Sequence, residues 1–187
     1  MIILASSSPR RSKILKDAGV NFKVLVSDID EKAIDVSNLK PEEMVMKIAK
    51  HKALAVSNTH PKDIVIGADT GVFFNSKFYG KPENAEDAVR MLSELSGNKH
   101  EVITGVAVIK GENTKLFYSK SIVYIRKLGE IEILDYVKTG EPLDKAGAYA
   151  IQGMGGTLVE KYEGDFFNIV GLPLKEVLNT IEEYKKA

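Results

Sequence analysis

The sequence predicts an α/β protein with a mixed β-sheet, and two observations support this fold class. Short apolar segments typical of strands alternate along the chain with longer segments of helical periodicity, a pattern that indicates strand–helix–strand units. Two pairs of strand-like segments are separated only by short turn sequences, at residues 75–77 and 111–113, which predicts antiparallel hairpins. Parallel and antiparallel pairing together give a mixed sheet.

Five helices are predicted from their end signals and apolar spacing. Ser8 is expected to be an N-cap before Pro9, and Gly19 ends this first helix. Pro41 begins a second, longer helix, and Asn84 caps a third that has acidic residues in its first turn. The remaining predicted boundaries are about Val56 for the end of the second helix, Gly97 after the third, residues 131–137 with Gly140 for the fourth, and Pro173 for the start of the last.

Eight short apolar segments are predicted to be strands, because each is bounded by turn residues or by a predicted helix. They comprise residues 2–5, 22–26, 64–68, 72–74, 78–79, 102–109, 116–125 and 158–161. No repeat and no linker rich in Pro, Gly or Ser divides the sequence, so residues 1–187 are predicted to form a single domain.

Composition excludes several classes of protein. With 44% hydrophobic and 28% charged residues the chain has the balance of a globular protein, and 26 basic against 26 acidic residues give zero net charge. Zero net charge disfavours a protein that coats nucleic acid or an anionic membrane. The absence of cysteine excludes disulfides and thiolate metal sites. Because no apolar run approaches the ~18 residues of a spanning helix, we expect a soluble, cytoplasmic protein without a membrane partner.

The segment SSSPRR at residues 6–11 joins the first predicted strand to the first helix. It gathers three hydroxyls, unpaired backbone N–H groups and two of the four arginines at a helix start, where cations oppose the helix dipole unless an anion lies between them. The alternatives are a capped surface helix with solvated arginines, or a proline-directed phosphorylation site. The pattern favours a phosphate site formed by Ser6, Ser8, Arg10 and Arg11.

Asp69 follows an apolar strand and lies between Gly67 and Gly71. A carboxylate at the end of a buried strand can hold a metal or orient a water molecule, but it can equally cap the next turn. Lys52 falls on the otherwise apolar stripe of the second helix, so it is either a lysine that extends to solvent or a phosphate ligand, with the first favoured. Lys81, between Gly80 and Pro82, is a weak signal by itself because most lysines are solvated.

Residues 141–153 are too polar for a core segment and too apolar for a linker. A structured loop of this kind is often functional, and the amide of Gln152 could read a base edge, but a plain packed loop is an equal alternative. The acidic residues 28–31 are typical of a solvated turn more than of a metal site. The three histidines have no mutual spacing that would build a zinc site or a Ser-His-Asp triad.

At these residues the sequence resembles the Maf family, the septum-formation-inhibitor-like nucleoside triphosphate pyrophosphatases related to inosine triphosphate pyrophosphatases. Six or more matching pieces occur in family order and span nearly the whole chain, which makes the resemblance specific. They are residues 5–11 (ASSSPRR), 67–70 (GADT), 80–82 (GKP), 95–97 (LSG) with His100, 144–149 (DKAGAY) through 151–153 (IQG), 164–165 (GD) and 170–174 (VGLPL).

The resemblance implies a two-lobed α/β fold with a long mixed sheet and a cleft between the lobes. It implies hydrolysis of a nucleoside triphosphate to the monophosphate and pyrophosphate, with Asp69 as the catalytic residue. A divalent cation, Mg²⁺ or Mn²⁺, is expected to bind Asp69 and Asp30, an aspartate where glutamate is common in the family. The implied phosphate ligands are Ser6, Ser8, Arg10, Arg11, Lys52 and Lys81.

Base preference is implied by three positions, one of which, Arg10, is also an implied phosphate ligand. The combination of Arg10, Thr70 and Gln152 resembles the branch that hydrolyses dTTP, UTP and modified uridine triphosphates. The implied partner is therefore a nucleoside triphosphate, and a homodimer is compatible with the sequence. A second class remains open, a non-catalytic regulator of cell division that binds nucleotide or nucleic acid, but a carboxylate at Asp69 among cations would not help a pure anion binder.

Overall fold

A computed structural model describes residues 1–186, and it shows seven strands and six α-helices within them. The strands are β1 (Ile2–Leu4), β2 (Lys23–Val24), β3 (Ile64–Phe74), β4 (Lys77–Tyr79), β5 (Lys99–Lys110), β6 (Asn113–Ile125) and β7 (Val159–Glu163). The helices are α1 (Pro9–Asp17), α2 (Pro41–Ser57), α3 (Ala85–Leu95), α4 (Glu130–Lys138), α5 (Phe166–Val170) and α6 (Leu174–Lys186). No helix in this part of the chain has the length and apolarity needed to cross a bilayer.

The strands form one mixed sheet in the order β2-β1-β3-β5-β6-β7, with β4 paired to β3 outside this path. β1 is parallel to β2 and β3, whereas the pairs β3–β4 and β6–β7 are antiparallel. The predicted fold class, an α/β protein with a mixed sheet and flanking helices, is confirmed. The cleft that the resemblance implies stays a prediction.

Two strand predictions need correction. Residues 64–68 and 72–74 belong to one strand, β3, so Asp69 lies in the middle of a strand and not after its end. The error arose because Asp69 and Gly71 are poor strand formers in isolation, while pairing with neighbouring strands outweighs such local preferences. Helix α5 was not predicted because its five residues are too short to show a helical period.

The chain divides into two compact units. Unit 1 comprises Met1–Thr70, Thr104–Ser119 and the chain from Gly171 onward. Its core packs α2 against β1, β3 and β5 through small and β-branched residues, including Ala49, Ala53 and Val65. A Cβ on Gly67 of β3 would lie 2.3 Å from the Ala49 carbonyl oxygen, and one on Gly105 of β5 would lie 2.5 Å from the backbone of α2. The helix therefore contacts these strands backbone to backbone.

Unit 2 comprises Gly71–Ile103 and Lys120–Val170. Its core joins α3 and α4 to the strands through buried Leu92, Leu95 and Tyr136. Residues 141–153, predicted to be a structured loop, and the residues that follow as far as Leu158 form three short 3₁₀ turns, Glu141–Asp144, Ala146–Ala148 and Gly153–Leu158. The loop thus has ordered structure without belonging to a helix or strand of the sheet.

Candidate active site

The start of α1 forms the capped turn that the sequence predicts. Ser8 is the N-cap, and its Oγ accepts a hydrogen bond of 3.4 Å from Arg11 N. The Oγ of buried Ser6 accepts one of 3.2 Å from Ser8 N, so the two serines fix the backbone that leads from β1 into the helix. Arg10 is half-buried in the same turn. A helix start of this kind, with cationic side chains beside it, is suited to binding an anion.

Arg11 is buried, with only 8% of its surface exposed, and it joins three segments of unit 1. Its Nε donates to the Gly171 carbonyl oxygen at 2.8 Å, Nη1 donates to Ser6 Oγ at 3.0 Å, and Nη2 donates to Thr70 Oγ1 at 3.0 Å. Burial lowers the pKa of Arg11 and the charge of Asp69 opposes this, but a guanidinium remains protonated in proteins. Two of its five N–H groups remain for a ligand.

Lys52 and Asp69 form a largely buried ion pair. Lys52 Nζ lies 2.8 Å from Asp69 Oδ1, and their side chains are 10% and 14% exposed. The prediction that Lys52 extends to solvent is therefore wrong. Its position follows from the close contact of α2 with β3 at Gly67, which brings the lysine over the strand that carries the carboxylate. Asp69 bonds to a lysine of another element, so it does not act merely as a turn cap.

Glu31 is a member of this cluster that the sequence reasoning missed. Its Oε1 lies 3.0 Å from Lys52 Nζ, so two carboxylates face one ammonium group. Asp30, the predicted metal ligand, is exposed, and its Oδ1 accepts a 3.0 Å hydrogen bond from Lys32 N at the start of a 3₁₀ turn, Glu31–Ala33. The role of Asp30 as a metal ligand stays a prediction. The acidic residues 28–31 indicated a carboxylate in this region, but the sequence did not show whether Asp30 or Glu31 would reach Lys52.

The side chains of this cluster supply only some of the ligands that a divalent cation needs. Residues 1–186 contain no group of three or more His, Asp or Glu side chains placed to hold an ion. Asp69 and Glu31 nevertheless place two carboxylates around one ammonium group, that of Lys52. Mg²⁺ in phosphate-handling sites usually takes one or two carboxylates and fills its shell with phosphate oxygens and water. The donor set therefore suits an ion that arrives with a phosphorylated ligand.

Thr70 links the arginine to the next strand. Its Oγ1 accepts from Arg11 and lies 2.9 Å from Oγ1 of buried Thr104 on β5. The hydroxyl predicted to influence base preference is thus occupied by protein partners. Gly71 follows, and a Cβ there would lie 2.7 Å from the ring of Phe73, so a larger residue at this position would require the ring to move.

Lys81 and Gln152 belong to unit 2, and both side chains are exposed. Gly147 N donates to the Gly80 carbonyl oxygen at 3.1 Å, so the turn that carries Lys81 is attached to the loop that leads to Gln152. The sequence reasoning treated these two motifs separately. Backbone hydrogen bonds between distant segments leave no periodic pattern that could have revealed the link.

His100 is buried in unit 2, and its Nε2 lies 2.7 Å from the hydroxyl oxygen of Tyr149. Its Nδ1 has no hydrogen-bond partner among the described residues. Burial lowers the pKa of His100 to about 4, so the ring is neutral at physiological pH. This histidine packs the loop at Tyr149 and is not placed with other potential metal ligands.

The structure thus groups most of the predicted residues of unit 1. Arg11 contacts Ser6 and Thr70, and the neighbouring Asp69 contacts Lys52. A capped helix start with arginines, beside a strand bearing a buried carboxylate–ammonium pair, defines an α/β protein equipped for a charged ligand. The family model described as Maf-like protein matches residues 1–184, so the chain belongs to the Maf-like family. The resemblance found in the sequence is confirmed.

Two relatives illustrate the similarity. A dTTP/UTP pyrophosphatase of Geobacillus sp. (strain WCH70) is 47% identical over 185 residues, which cover 99% of this chain and 97% of that protein. A dTTP/UTP pyrophosphatase of Caldicellulosiruptor saccharolyticus is 47% identical over 186 residues, covering 96% of this chain and 92% of the relative. Among solved structures, a HAM1 protein from Coxiella burnetii matches with a TM-score of 0.53 at 13% identity, covering 97% of this chain and 98% of that one. At this identity the match shows the fold alone.

Proposed function

We propose that the protein is a nucleoside triphosphate pyrophosphatase that hydrolyses dTTP and UTP to the monophosphate and pyrophosphate. The observation that carries the proposal is the buried pair of Asp69 and Lys52, one residue along β3 from the Thr70–Arg11 contact. A carboxylate held in this way beside a cationic helix start combines a proton acceptor with charges that bind phosphate. The names and full-length similarity of the relatives agree with it.

The phosphate chain is proposed to bind at the start of α1. Ser6, Ser8, Arg10 and Arg11 supply hydroxyls and guanidinium groups there, and Lys52 supplies an ammonium group from α2. Two N–H groups of Arg11 are not used by its three protein contacts, so it can donate to a phosphate oxygen and still maintain the fold. Lys81 is proposed as a further phosphate ligand because its exposed ammonium lies on a rigid Gly-Lys-Pro turn.

Asp69 is proposed to position and deprotonate the water that attacks the α-phosphorus. The hydrogen bond from Lys52 to Oδ1 fixes the carboxylate and leaves Oδ2 available for the water. The new bond forms between the water oxygen and the α-phosphorus, the bond to the bridging oxygen breaks, and pyrophosphate leaves. Most of the rate gain is expected from positioning and from neutralising the charge that develops.

We further propose that Mg²⁺ or Mn²⁺ assists, held by Asp69 together with Glu31 or Asp30. When bound, a divalent cation would neutralise negative charge on the phosphate oxygens and make pyrophosphate a better leaving group. The two carboxylates that meet at Lys52 support this proposal, because carboxylate oxygens are the ligands that such cations prefer. In the absence of substrate, Lys52 bridges the two carboxylates and offsets their mutual repulsion.

Base choice is proposed to depend on Gln152, together with Arg10 and Thr70. The side chain of Gln152 is exposed at the start of a 3₁₀ turn, and its amide can donate to a pyrimidine carbonyl and accept from N3–H. Thr70 is proposed to act through Arg11, because its hydroxyl already bonds to the guanidinium. A homodimer stays a prediction.

The test is incubation of the purified protein with dTTP, UTP, CTP, 7-methyl-GTP, ATP and GTP in Mg²⁺, with pyrophosphate and orthophosphate assayed separately. We expect stoichiometric pyrophosphate from dTTP and UTP and no orthophosphate. Orthophosphate from every active substrate would overturn the mechanism. Tight binding of a nucleotide with no turnover in Mg²⁺ or Mn²⁺ would overturn the enzymatic function in favour of a nucleotide-binding regulator.

A further inference from the structure

One carboxylate holds the turn that follows Gln152. Glu141 Oε1 accepts hydrogen bonds of 2.9 Å from Gly155 N and from the hydroxyl of Tyr136, and Oε2 accepts one of 3.3 Å from Met154 N. Two successive backbone amides therefore end on the same side chain, 13 and 14 residues away in the chain. Both amides lie at the start of the 3₁₀ turn Gly153–Leu158, where N–H groups have no partner within the turn, and the Glu141 carboxylate supplies that partner.

The donors keep the carboxylate ionised. Burial of Glu141 opposes ionisation, but the hydrogen bonds from Gly155, Tyr136 and Met154 outweigh it and hold the pKa of Glu141 below its usual value. Hydrogen bonds to an ionised acceptor are roughly twice as strong as those between neutral groups. The contact is therefore a firm attachment of the turn and not a surface ion pair.

Glu141 is itself attached on both sides. Its backbone N–H, just after the end of α4, donates a hydrogen bond of 3.2 Å to Thr139 Oγ1. Its carbonyl oxygen accepts a hydrogen bond of 3.1 Å from Lys145 Nζ. Tyr136, the third donor, is buried in the core of unit 2. The carboxylate thus fixes the turn after Gln152 relative to α4 and to the core of unit 2.

Two glycines of the turn lie in close contact with Glu141 and with neighbouring groups. Gly153 has a φ of +71°, and a Cβ there would lie 3.0 Å from Glu141 Oε2. A Cβ on Gly155 would lie 2.4 Å from both the Tyr136 hydroxyl and the Ala150 carbonyl oxygen. The two glycines permit the close approach, and Glu141 supplies the hydrogen bonds that select it.

We infer that Glu141 is a positioning residue for base selection, which acts by fixing the turn Gly153–Gly155 and thereby the direction of the Gln152 side chain. This inference rests on the proposed function, since it presumes that Gln152 reads the base. It assigns to Glu141 no contact with the substrate. Gln152 is the residue immediately before the turn, so a shift of the turn reaches its side chain with no intervening residue to absorb it.

The main test uses Glu141→Gln, which keeps the shape of the side chain but turns one acceptor oxygen into an amide donor facing an N–H group. We expect the ratio of kcat/KM for dTTP over CTP to fall by about tenfold, which corresponds to about 1.4 kcal/mol. The loss should appear mainly as a higher KM for dTTP, because the chemical step in unit 1 is untouched. Tyr136→Phe, which removes one of three donors, should fold normally and lower the ratio by a smaller factor.

The matched control is Asp135→Asn, on α4, the helix that carries Tyr136. Its carboxylate is exposed and pairs with Lys138, away from the turn Gly153–Gly155, so the selectivity ratio should equal that of the wild type. A double variant, Glu141→Gln with Gln152→Ala, separates positioning from general damage. If Glu141 acts through Gln152, the double variant has the selectivity of Gln152→Ala alone.

Hydrogen exchange of the Met154 and Gly155 amides, followed by NMR, tests the inference without turnover. Both amides should exchange about tenfold faster in Glu141→Gln than in the wild type, and unchanged protection in a folded variant would overturn the inference. Full selectivity in Glu141→Gln, or additive losses in the double variant, would also overturn it. Failure of the wild type to hydrolyse dTTP or UTP would overturn the proposed function instead, and the exchange result would still report on the turn.

Discussion

Lys52 Nζ and Asp69 Oδ1 lie 2.8 Å apart although 17 residues separate them in the chain. Lys52 comes from the middle of α2 and Asp69 from the middle of β3, so the pair depends on how the helix packs on the sheet. Both side chains are largely buried, and removing one partner of such a pair is costly because the remaining charge is left without compensation. Glu31 moderates this cost for Asp69 variants, since it remains as a second partner of Lys52.

Replacing Asp69 by asparagine is expected to lower kcat for pyrophosphate release from dTTP by about 10²–10⁴-fold, the range for loss of a positioned base. The substitution is nearly isosteric, and Glu31 still neutralises Lys52, so the melting temperature and dTTP affinity should change little. The measurements are steady-state kinetics, titration calorimetry and thermal unfolding. Asp17→Asn, which removes an exposed carboxylate of α1, is the control. A kcat within about threefold of the wild type would rule out a catalytic role for Asp69.

Replacing Arg11 by lysine is expected to destabilise the protein. A single ammonium group cannot reach Gly171, Ser6 and Thr70 together, and each buried group left without a partner costs about 1–3 kcal/mol. We expect the free energy of unfolding in urea to fall by about 3 kcal/mol. The same change at exposed Arg90, which pairs with Asp87 and Glu94, should cost less than about 1 kcal/mol. Equal effects at the two positions would show that Arg11 is not a structural link.

The stability of the protein should depend on pH through His100. Burial lowers the pKa of His100 from 6.5 to about 4, so between these values the unfolded chain binds a proton that the folded chain does not. The free energy of unfolding therefore falls as the pH is lowered through this window. At 1.36 kcal/mol for each pKa unit the total decrease is about 3 kcal/mol, and it is complete once the pH is below the pKa of the folded state.

Urea unfolding between pH 7 and pH 4 checks this dependence. His100→Gln should flatten the curve relative to the wild type, whereas His51→Gln, at an exposed position of α2, should leave its slope unchanged. Acidic groups that also titrate in this range are common to all three proteins, so the comparison isolates the buried ring. Identical curves for the wild type and His100→Gln would contradict the assignment.

The base preference should follow Gln152. We expect kcat/KM for dTTP and UTP to exceed that for CTP and 7-methyl-GTP by at least about tenfold, because a base that cannot pair with the amide leaves polar groups unsatisfied at about 1–3 kcal/mol each. Gln152→Glu should reduce this margin, since a carboxylate repels the pyrimidine carbonyls. Competitive turnover of the four substrates measures the ratio, and Glu160→Gln, an exposed change on β7, is the control. Preference of the wild type for 7-methyl-GTP would refute the assignment to the dTTP/UTP branch.

Local signals in the sequence were sufficient for several elements. Ser8 and Pro9 predicted the start of α1 because a cap acts within one turn, and the cap hydrogen bond is present. The contacts of Arg11 could not be predicted in the same way. They join Gly171, which is 160 residues away, and Thr70, which is 59 residues away, and no periodic pattern records such pairings.

The acidic stretch at residues 28–31 shows a second limit. Residue types indicated that a carboxylate would lie near the cations, but adjacent side chains of an irregular segment point in directions that only the backbone decides. A 3₁₀ turn begins at Glu31, so Asp30 caps it while Glu31 reaches Lys52. The favoured interpretation of Lys52 was wrong for a related reason, because the partner that makes its burial tolerable lies on a different element.

Gly67 and Gly105 act as spacers. The length of a lysine side chain is constant, so the gap between α2 and the sheet decides whether the ammonium of Lys52 meets the carboxylate of Asp69. One methyl group at either glycine would collide with the backbone of α2 and lift the helix from the strands. Two positions that have no side chain therefore decide whether the proposed catalytic pair can form.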